Sequence, residues 1–137
     1  MAKSVLAVID MQNDFIDGAL GTKEAQAIVG NVAAYIEHSL ASGEEVVYTR
    51  DTHFDNYLDT QEGKNLPVVH CIKGTKGWEI RDELKALQND GTRVFDKLTF
   101  GSVELAEYLK TIEGLWRVTL IGLCTDICVI SNAMVIK

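Results

Sequence analysis

The sequence predicts an α/β fold with three layers, α-β-α, in which helices cover both faces of a parallel sheet. Apolar runs of strand length recur along the 137 residues and alternate with amphipathic helical patterns. The first run, residues 4–10, is nearly continuous in apolar character, which is typical of a central strand buried on both faces. Since parallel strands are joined by right-handed crossovers, the alternation places helices on both sides of the sheet.

Four strands are predicted, and their ranges are residues 4–10, 45–50, 92–97 and 115–123. Residues 11–23 are predicted to be an irregular connection before a helix that runs to about residue 42. The apolar stripe of this helix includes Val29, Ile36 and Leu40, and Gly43 is predicted to end it in a left-handed conformation.

The remaining segments divide into one long loop and three further helices. Residues 51–77 show no periodicity, and an unstructured stretch of that length in a compact domain is usually functional. Helices are predicted at residues 78–87, at residues 102–112 behind a Ser102 cap, and from residue 126 onward, with a turn at residues 90–91.

The bulk properties favour a single intracellular domain spanning residues 1–137. The net charge is -7 and the 13 basic residues are scattered, which argues against a nucleic-acid partner. Three cysteines without paired spacing indicate reduced thiols and a cytoplasmic location. No apolar run approaches the length of a membrane span, so no membrane partner is expected.

An acid, an amine and a thiol each follow a different predicted strand: Asp10, Lys97 and Cys128. Because parallel strands end at one edge of the sheet, we expect the three to meet there. Cys128 falls in the first turn of a predicted helix, where unpaired N–H groups and the helix dipole favour a thiolate. Such a set can cleave an amide, with Cys128 as nucleophile, Asp10 as proton carrier and Lys97 as charge stabiliser.

Each of these residues also has an ordinary structural interpretation. Asp10 can be a turn or capping aspartate, Lys97 a solvated lysine at a strand end, and Cys128 a buried structural cysteine.

The long loop holds a second constellation, formed by Asp51, His53 and the distal His70. One carboxylate oxygen and two imidazole nitrogens suit zinc or another divalent transition metal, with open positions left for water and substrate. The alternative is that the two histidines are solvated loop side chains.

Three motifs in order resemble the isochorismatase-like cysteine hydrolases, and within that family the nicotinamidases and pyrazinamidases. Residues 5–15, VLAVIDMQNDF, resemble the first strand and the Asp-x-Gln-x-Asp-Phe signature, residues 96–102 are similar to the lysine loop, and residues 122–129, GLCTDICV, match the nucleophile motif. The resemblance covers residues 4–137. It implies Asp10, Lys97 and Cys128 as the catalytic residues, in preference to the other two cysteines, and the isochorismatase-like hydrolase fold.

The resemblance implies further site residues. Family members have a cis peptide before the Thr-Asp pair, here between Leu123 and Cys124, which would turn the N–H groups of Cys124 and Cys128 into an oxyanion hole. Phe15 matches an aromatic residue of the family's substrate pocket. Phe100 is a candidate second wall of that pocket or an ordinary core residue.

The resemblance also implies a metal, with a fourth protein ligand that is His in some nicotinamidases and Glu in others. Asp59 stands at the His position, whereas Glu62, nine residues after His53, fits the Glu type. The predicted ligands are therefore Asp51, His53, Glu62 and His70. Zinc is the expected metal, with manganese or iron as alternatives, and its expected role is to anchor the pyridine nitrogen of the substrate.

Two features depart from the family pattern. Residues 66–70 read Leu-Pro-Val-Val-His, where nicotinamidases commonly have Trp-Pro-x-His. Family members also continue beyond the nucleophile helix with a further strand and helix, so we expect that a sequence ending at Lys137 is truncated.

These observations predict a metal-dependent amidohydrolase that converts nicotinamide to nicotinate and ammonia through a thioester on Cys128. A second interpretation is a metal-independent cysteine amidase for another small amide or ureido compound. A third is a non-catalytic binding or assembly protein with the same fold. The family resemblance is compatible with a homo-oligomer.

Overall fold

A parallel sheet forms the centre of the molecule. The computed structural model describes residues 3–88, 92–97 and 103–122. Within these ranges the strands are β1 (Lys3–Ile9), β2 (Glu45–Asp51), β3 (Arg93–Lys97) and β4 (Leu115–Gly122). They lie in the order β3-β2-β1-β4 and every neighbouring pair is parallel, so the predicted parallel sheet is confirmed and β1 is one of its central strands.

Helices cover both faces of this sheet. The helices of the described ranges are α1 (Asn13–Ile16), α2 (Lys23–Ala41), α3 (Gln61–Asn65), α4 (Asp82–Lys85) and α5 (Val103–Lys110). Side chains of β1 alternate between the faces, as they do in any strand. Leu6 and Val8 pack on the side of α2 and α4, whereas Val5 and Ile9 pack on the opposite side with Leu105 of α5. The predicted three-layer arrangement is therefore confirmed.

Helix α2 has clear start and stop signals. The Thr22 hydroxyl accepts a hydrogen bond of 2.9 Å from the Ala25 N–H, which satisfies one of the unpaired donors at the helix start. Of the predicted apolar stripe, Val29 and Ile36 are buried, but Leu40 is 38% exposed and does not belong to the buried core. Gly43, with φ of 83°, follows the helix in the predicted left-handed conformation.

The prediction of irregular structure at residues 11–23 and 51–77 was wrong in part. The first segment contains α1, and the second contains the 3-10 helix Tyr57–Asp59 and, after Thr60, helix α3. These helices are three to five residues long. Elements that short do not complete enough turns to produce a detectable hydrophobic period.

The predicted helix at residues 78–87 was also wrong over half its length, because α4 begins only at Asp82. Trp78 and Glu79 belong to a turn, and the two residues after them pair with the chain that follows β1. Ile80 forms an antiparallel bridge with Gln12, and the Arg81 N–H donates to the Met11 carbonyl at 3.0 Å. Long-range pairing therefore overrides the local helical pattern.

Several predictions fall beyond the described ranges: the turn at residues 90–91, the Ser102 cap and the helix from residue 126 onward. Within the part of the chain that the structure describes, no helix combines the length and apolar character needed to cross a membrane.

The capping bond of α2 yields a stability prediction. Thr22→Ala is expected to lower the free energy of unfolding by about 1 kcal/mol, because the Ala25 N–H loses its partner. Urea denaturation measures the change. Thr22→Ser retains the hydroxyl and should recover most of the loss; equal stability of the Ala variant and the parent chain would contradict the capping role.

Candidate active site and metal centre

Asp10 comes directly after β1, at the carboxyl end of a central strand. Its φ is 52°, in the left-handed region that few non-glycine residues adopt. The side chain is fully buried, and its Oδ1 accepts a hydrogen bond of 2.9 Å from the Thr49 hydroxyl. The Asp10 N–H points to the Thr49 carbonyl at 3.2 Å, which is the last backbone bond from β1 to β2. A carboxylate is thus held at the strand end by its neighbour in the sheet.

The buried Gln12 side chain forms hydrogen bonds with β2 beyond the last backbone pair of β1 and β2. Its Oε1 accepts from the Asp51 N–H at 2.8 Å, and its Nε2 donates to the Asp51 carbonyl at 2.9 Å. The same Nε2 donates to the Trp78 carbonyl at 2.7 Å. The amide thereby takes the place of a peptide group in the strand pairing.

Asp51, His53 and His70 lie together, although the two histidines are separated by a long stretch of chain. The Asp51 Oδ2 is 2.9 Å from the His53 Nε2 and 3.5 Å from the His70 Nε2. One ligand atom from each residue lies within 4.8 Å of the others. The side chains are only 2–6% exposed, which is incompatible with solvated loop histidines.

The chemistry of this Asp51/His53/His70 group fits a divalent transition metal. The His70 Nδ1 lies 2.7 Å from the Val68 carbonyl, and because a carbonyl can only accept, Nδ1 must carry the hydrogen. A neutral His70 therefore has its lone pair on Nε2, the nitrogen that faces Asp51. A backbone carbonyl on the far nitrogen is a usual support for a histidine that binds a metal.

Aromatic rings surround the group. The ring centroid of Tyr57 is 4.6 Å from that of His53 and 5.1 Å from that of His70, and the Phe15 ring is 5.5 Å from His70. The Tyr57 hydroxyl donates to the Leu66 carbonyl at 2.7 Å, which fixes the ring. Phe15 thus lies beside the group, and Tyr57 is a neighbour that sequence reasoning missed because nothing in its spacing distinguishes it.

Lys97 is the last residue of β3, opposite Asp51 in the sheet register. Its neighbour Asp96 receives two hydrogen bonds from Arg50, at 2.6 and 3.0 Å, and the Arg50 guanidinium lies 3.9 Å from the centre of the Trp78 ring. These contacts fasten the end of β3 to β2. The Lys97 backbone therefore reaches the same edge of the sheet as Asp10, while its side chain lies outside the described atoms.

The candidate fourth metal ligands differ in what the structure describes. Glu62 lies in α3, and its side chain is outside the described atoms. Asp59 lies in the 3-10 helix and is exposed. Glu62 stays a prediction.

Cys124, Cys128, Phe100 and the peptide before Cys124 lie outside the described residues. The chain does approach the expected position: Gly122 pairs with Ile9, the residue before Asp10. An added Cβ at Gly122 would lie 2.1 Å from the Ile9 carbonyl oxygen, so this close approach of β4 to β1 requires glycine. Residue 122 is therefore next to the strand end that bears Asp10.

Comparison with known proteins identifies the family. The model of the isochorismatase domain matches residues 4–136, which is nearly the whole chain. The chain belongs to the isochorismatase family.

Curated relatives of this family member include one bacterial and one plant protein. A nicotinamidase/pyrazinamidase of Mycobacterium tuberculosis is 25% identical over 93% of the chain and 75% of the relative. A "probable inactive nicotinamidase" of Arabidopsis thaliana is 30% identical over 92% of the chain and 68% of the relative.

Solved structures resemble the isochorismatase-family chain over almost all of its length. A pyrazinamidase of Pyrococcus horikoshii in complex with zinc is 30% identical with a TM-score of 0.80, covering 96% of the chain and 76% of that structure. An N-carbamoylsarcosine amidase of Thermoplasma acidophilum is 35% identical with a TM-score of 0.82, covering 96% and 74%. The predicted isochorismatase-like fold and the resemblance to nicotinamidases are confirmed.

The bond that holds the Asp10 carboxylate yields a second prediction. Thr49→Val keeps the side-chain shape but removes the hydroxyl, so the buried carboxylate loses a donor. We expect the free energy of unfolding to fall by about 1–3 kcal/mol, the usual cost of removing a buried partner. Urea denaturation tests this, with Thr49→Ser as the variant that keeps the donor. Unchanged stability of the Val variant would show that the bond does not hold Asp10.

Proposed function

We propose that this chain is a metal-dependent amidohydrolase of the nicotinamidase type, which hydrolyses nicotinamide to nicotinate and ammonia. The observation that carries the proposal is the buried Asp51/His53/His70 group at the strand end next to Asp10. Burial of one carboxylate and two imidazoles costs free energy, and a divalent cation bound among them would offset that cost. The relative in complex with zinc is a pyrazinamidase, which supports the assignment.

Asp51, His53 and His70 would hold the metal, with Glu62 as the proposed fourth protein ligand. Zinc suits this mixture of nitrogen and oxygen donors best, and manganese or iron are the alternatives. When bound, the metal supplies a fixed attachment point for the ring nitrogen of a heteroaromatic amide.

The flat rings of Phe15 and Tyr57 lie against His70 and offer apolar surface to such an aromatic substrate. Phe100 is proposed as a second aromatic wall of the substrate pocket. A substrate ring held between the metal and these aromatic side chains would have its carboxamide directed toward Asp10 and Cys128. Such orientation lowers the entropic part of the activation barrier.

Thioester formation begins when Asp10 takes the proton of the Cys128 thiol. The thiolate attacks the carboxamide carbon, and the N–H groups of Cys124 and Cys128 stabilise the oxyanion. Asp10 then donates its proton to the amine nitrogen, the C–N bond breaks, and ammonia leaves. The acyl group remains on Cys128 as a thioester.

Hydrolysis of the thioester regenerates the enzyme. Asp10, ionised again, removes a proton from a water molecule, and the resulting hydroxide attacks the thioester carbon. The C–S bond breaks, the Cys128 sulfur takes the proton back from Asp10, and nicotinate leaves after its carboxyl proton passes to solvent. Lys97 would stabilise the negative charge shared by the carboxylate and the thiolate, from the end of β3 that Arg50 and Asp96 fasten to the sheet.

The nucleophile provides the test of the reaction. Cys128→Ala is expected to lower ammonia release from nicotinamide by about a thousandfold or more, because the covalent step has no substitute. Ammonia is measured by a coupled enzymatic assay, and metal content and thermal stability serve as controls. Turnover at near the parent rate would overturn the proposed mechanism.

The three histidines of the chain provide the test of the metal site. His70→Gln is expected to abolish stoichiometric zinc binding, because Nε2 is lost from the group. His38→Gln is the matched control, since His38 lies exposed in the last turn of α2. Competition with a chelating indicator measures both variants. Equal zinc affinity in the two would contradict the proposed site.

A second candidate function is a metal-independent cysteine amidase that acts on a ureido compound. The 35% identity to the N-carbamoylsarcosine amidase favours it. The two candidates separate when one sample is analysed for metal and assayed for ammonia release from nicotinamide, pyrazinamide and N-carbamoyl amino acids. Turnover of the ureido compounds alone, by protein that binds no metal, would support the second.

The Arabidopsis relative keeps a third candidate open, a non-catalytic protein with this fold. A reactive thiolate distinguishes it: in the hydrolase, Cys128 should be alkylated well before the buried Cys71. No preference between the two cysteines would favour the non-catalytic protein.

A further inference from the structure

We propose that residues 12–14 position the metal centre, with Gln12 holding the backbone of Asp51 and Asp14 holding the backbone that carries His70. This inference rests on the proposed metal site and adds two positioning residues to it. Neither Gln12 nor Asp14 belongs to the Asp51/His53/His70 group.

Gln12 acts where the regular pairing of β1 and β2 stops. The last register pair is Ile9 with Thr49, and the chain then turns away at Asp10. In a parallel sheet the N–H and the carbonyl of one residue point to the same neighbouring strand. Those of Asp51 point to the position that β1 would occupy if it continued beyond Asp10. The Gln12 amide satisfies both. The peptide groups on either side of the Asp51 Cα are thereby fixed.

Asp14 acts on the other end of the group. Its Oδ2 accepts a hydrogen bond of 2.7 Å from the Cys71 N–H, which belongs to the peptide that joins His70 to Cys71. Cys71 has a φ of 50°, a conformation that persists only where the surroundings enforce it. The Cys71 carbonyl in turn accepts from the His53 N–H at 2.9 Å. The Asp14 carboxylate therefore fixes the orientation of the peptide that follows His70. Through the Cys71 carbonyl, the same segment is bonded to the backbone of His53.

The Asp14 carboxylate is itself held in a narrow position. The Asp14 N–H donates to the Gly77 carbonyl at 2.9 Å. A Cβ added at Gly77 would lie 2.3 Å from both carboxylate oxygens, so only glycine allows the two to approach this closely. Asn13, between the two positioning residues, donates to the Lys76 carbonyl at 2.8 Å. Residues 12–14 are thus anchored to the segment at residues 76–81 as well as to the ligand-bearing backbones.

Ligand convergence explains why such positioning matters. Asp51 and His70 come from separate stretches of the chain, and the metal is bound well only when their donor atoms are already close. Loss of a group that orients metal ligands typically costs about 10- to 100-fold in metal affinity.

The experiment uses metal-free preparations of the full chain and measures zinc affinity by competition with a chelating indicator, with circular dichroism to confirm folding. Asp14→Ala removes the acceptor of the Cys71 N–H, and Gln12→Met removes both bonds to Asp51 at similar volume. We expect each to weaken zinc binding about tenfold or more. Asp14→Asn retains a side-chain oxygen and should recover most of the affinity.

Thr22→Ala is the matched control, because it also removes one bond between a side chain and the backbone but lies at the start of α2. Its zinc affinity should equal that of the parent chain despite its lower stability. If Asp14→Ala does not fold, Gly77→Ala displaces the same carboxylate without removing it and should show the same loss of affinity.

The outcomes separate this inference from the proposed function. A parent chain that binds zinc tightly, with Asp14→Ala and Gln12→Met variants that bind it equally well, would overturn the positioning role and leave the metal site standing. A parent chain that does not bind zinc would overturn the metal site, and the positioning role with it.

Discussion

The site depends on a change of hydrogen-bond partner at the carboxyl end of β2, where the Gln12 side chain replaces the backbone of β1. Backbone N–H and carbonyl groups that are buried must be paired, and β1 stops pairing with β2 at Asp10. The Gln12 side chain supplies the missing pairs to Asp51. Because Gln12 supplies these bonds, the chain can leave the sheet at Asp10 while β2 continues to Asp51. Acidic side chains from two strands are thereby brought to one edge of the sheet.

The distribution of buried polar groups separates this edge from the rest of the core. The clusters on both faces of the sheet consist of aliphatic and aromatic side chains. The buried polar residues Asp10, Gln12, Asp51, His53 and His70 lie at or beyond the strand ends. Burial of such groups costs free energy that an apolar core would not, and natural proteins accept that cost mainly at functional sites.

Much of the fold was predictable because strong local signals agree with the global arrangement. The continuous apolar run of β1 and the stripe of α2 led to the correct layers, and the oxygen and nitrogen donors in the long loop led to the grouping of Asp51 with His53 and His70. Local patterns failed where distant residues decide the conformation. Residues 78–81 look helical in sequence, but Ile80 pairs with Gln12 and is held extended.

The roles of Gln12 and Asp14 illustrate what sequence reasoning lacked. Both stand in the signature that identified Asp10 and Phe15, yet their partners, Asp51, Trp78 and Cys71, are distant in sequence. A motif reveals which residue types recur but not which backbone groups they bind. Lys97 and Glu62 as functional side chains, and Cys128 as nucleophile, stay predictions.

The central claim is that a metal held by Asp51, His53 and His70 orients an aromatic amide toward Asp10. Anomalous diffraction at the zinc edge, from crystals of the chain with zinc and nicotinate, tests it most directly. We expect one strong zinc peak among the three side chains, with the pyridine nitrogen bound to it and the carboxylate of nicotinate directed toward Asp10. Zinc at another place, or a ring bound away from the metal, would show that the Asp51/His53/His70 group does not orient the substrate.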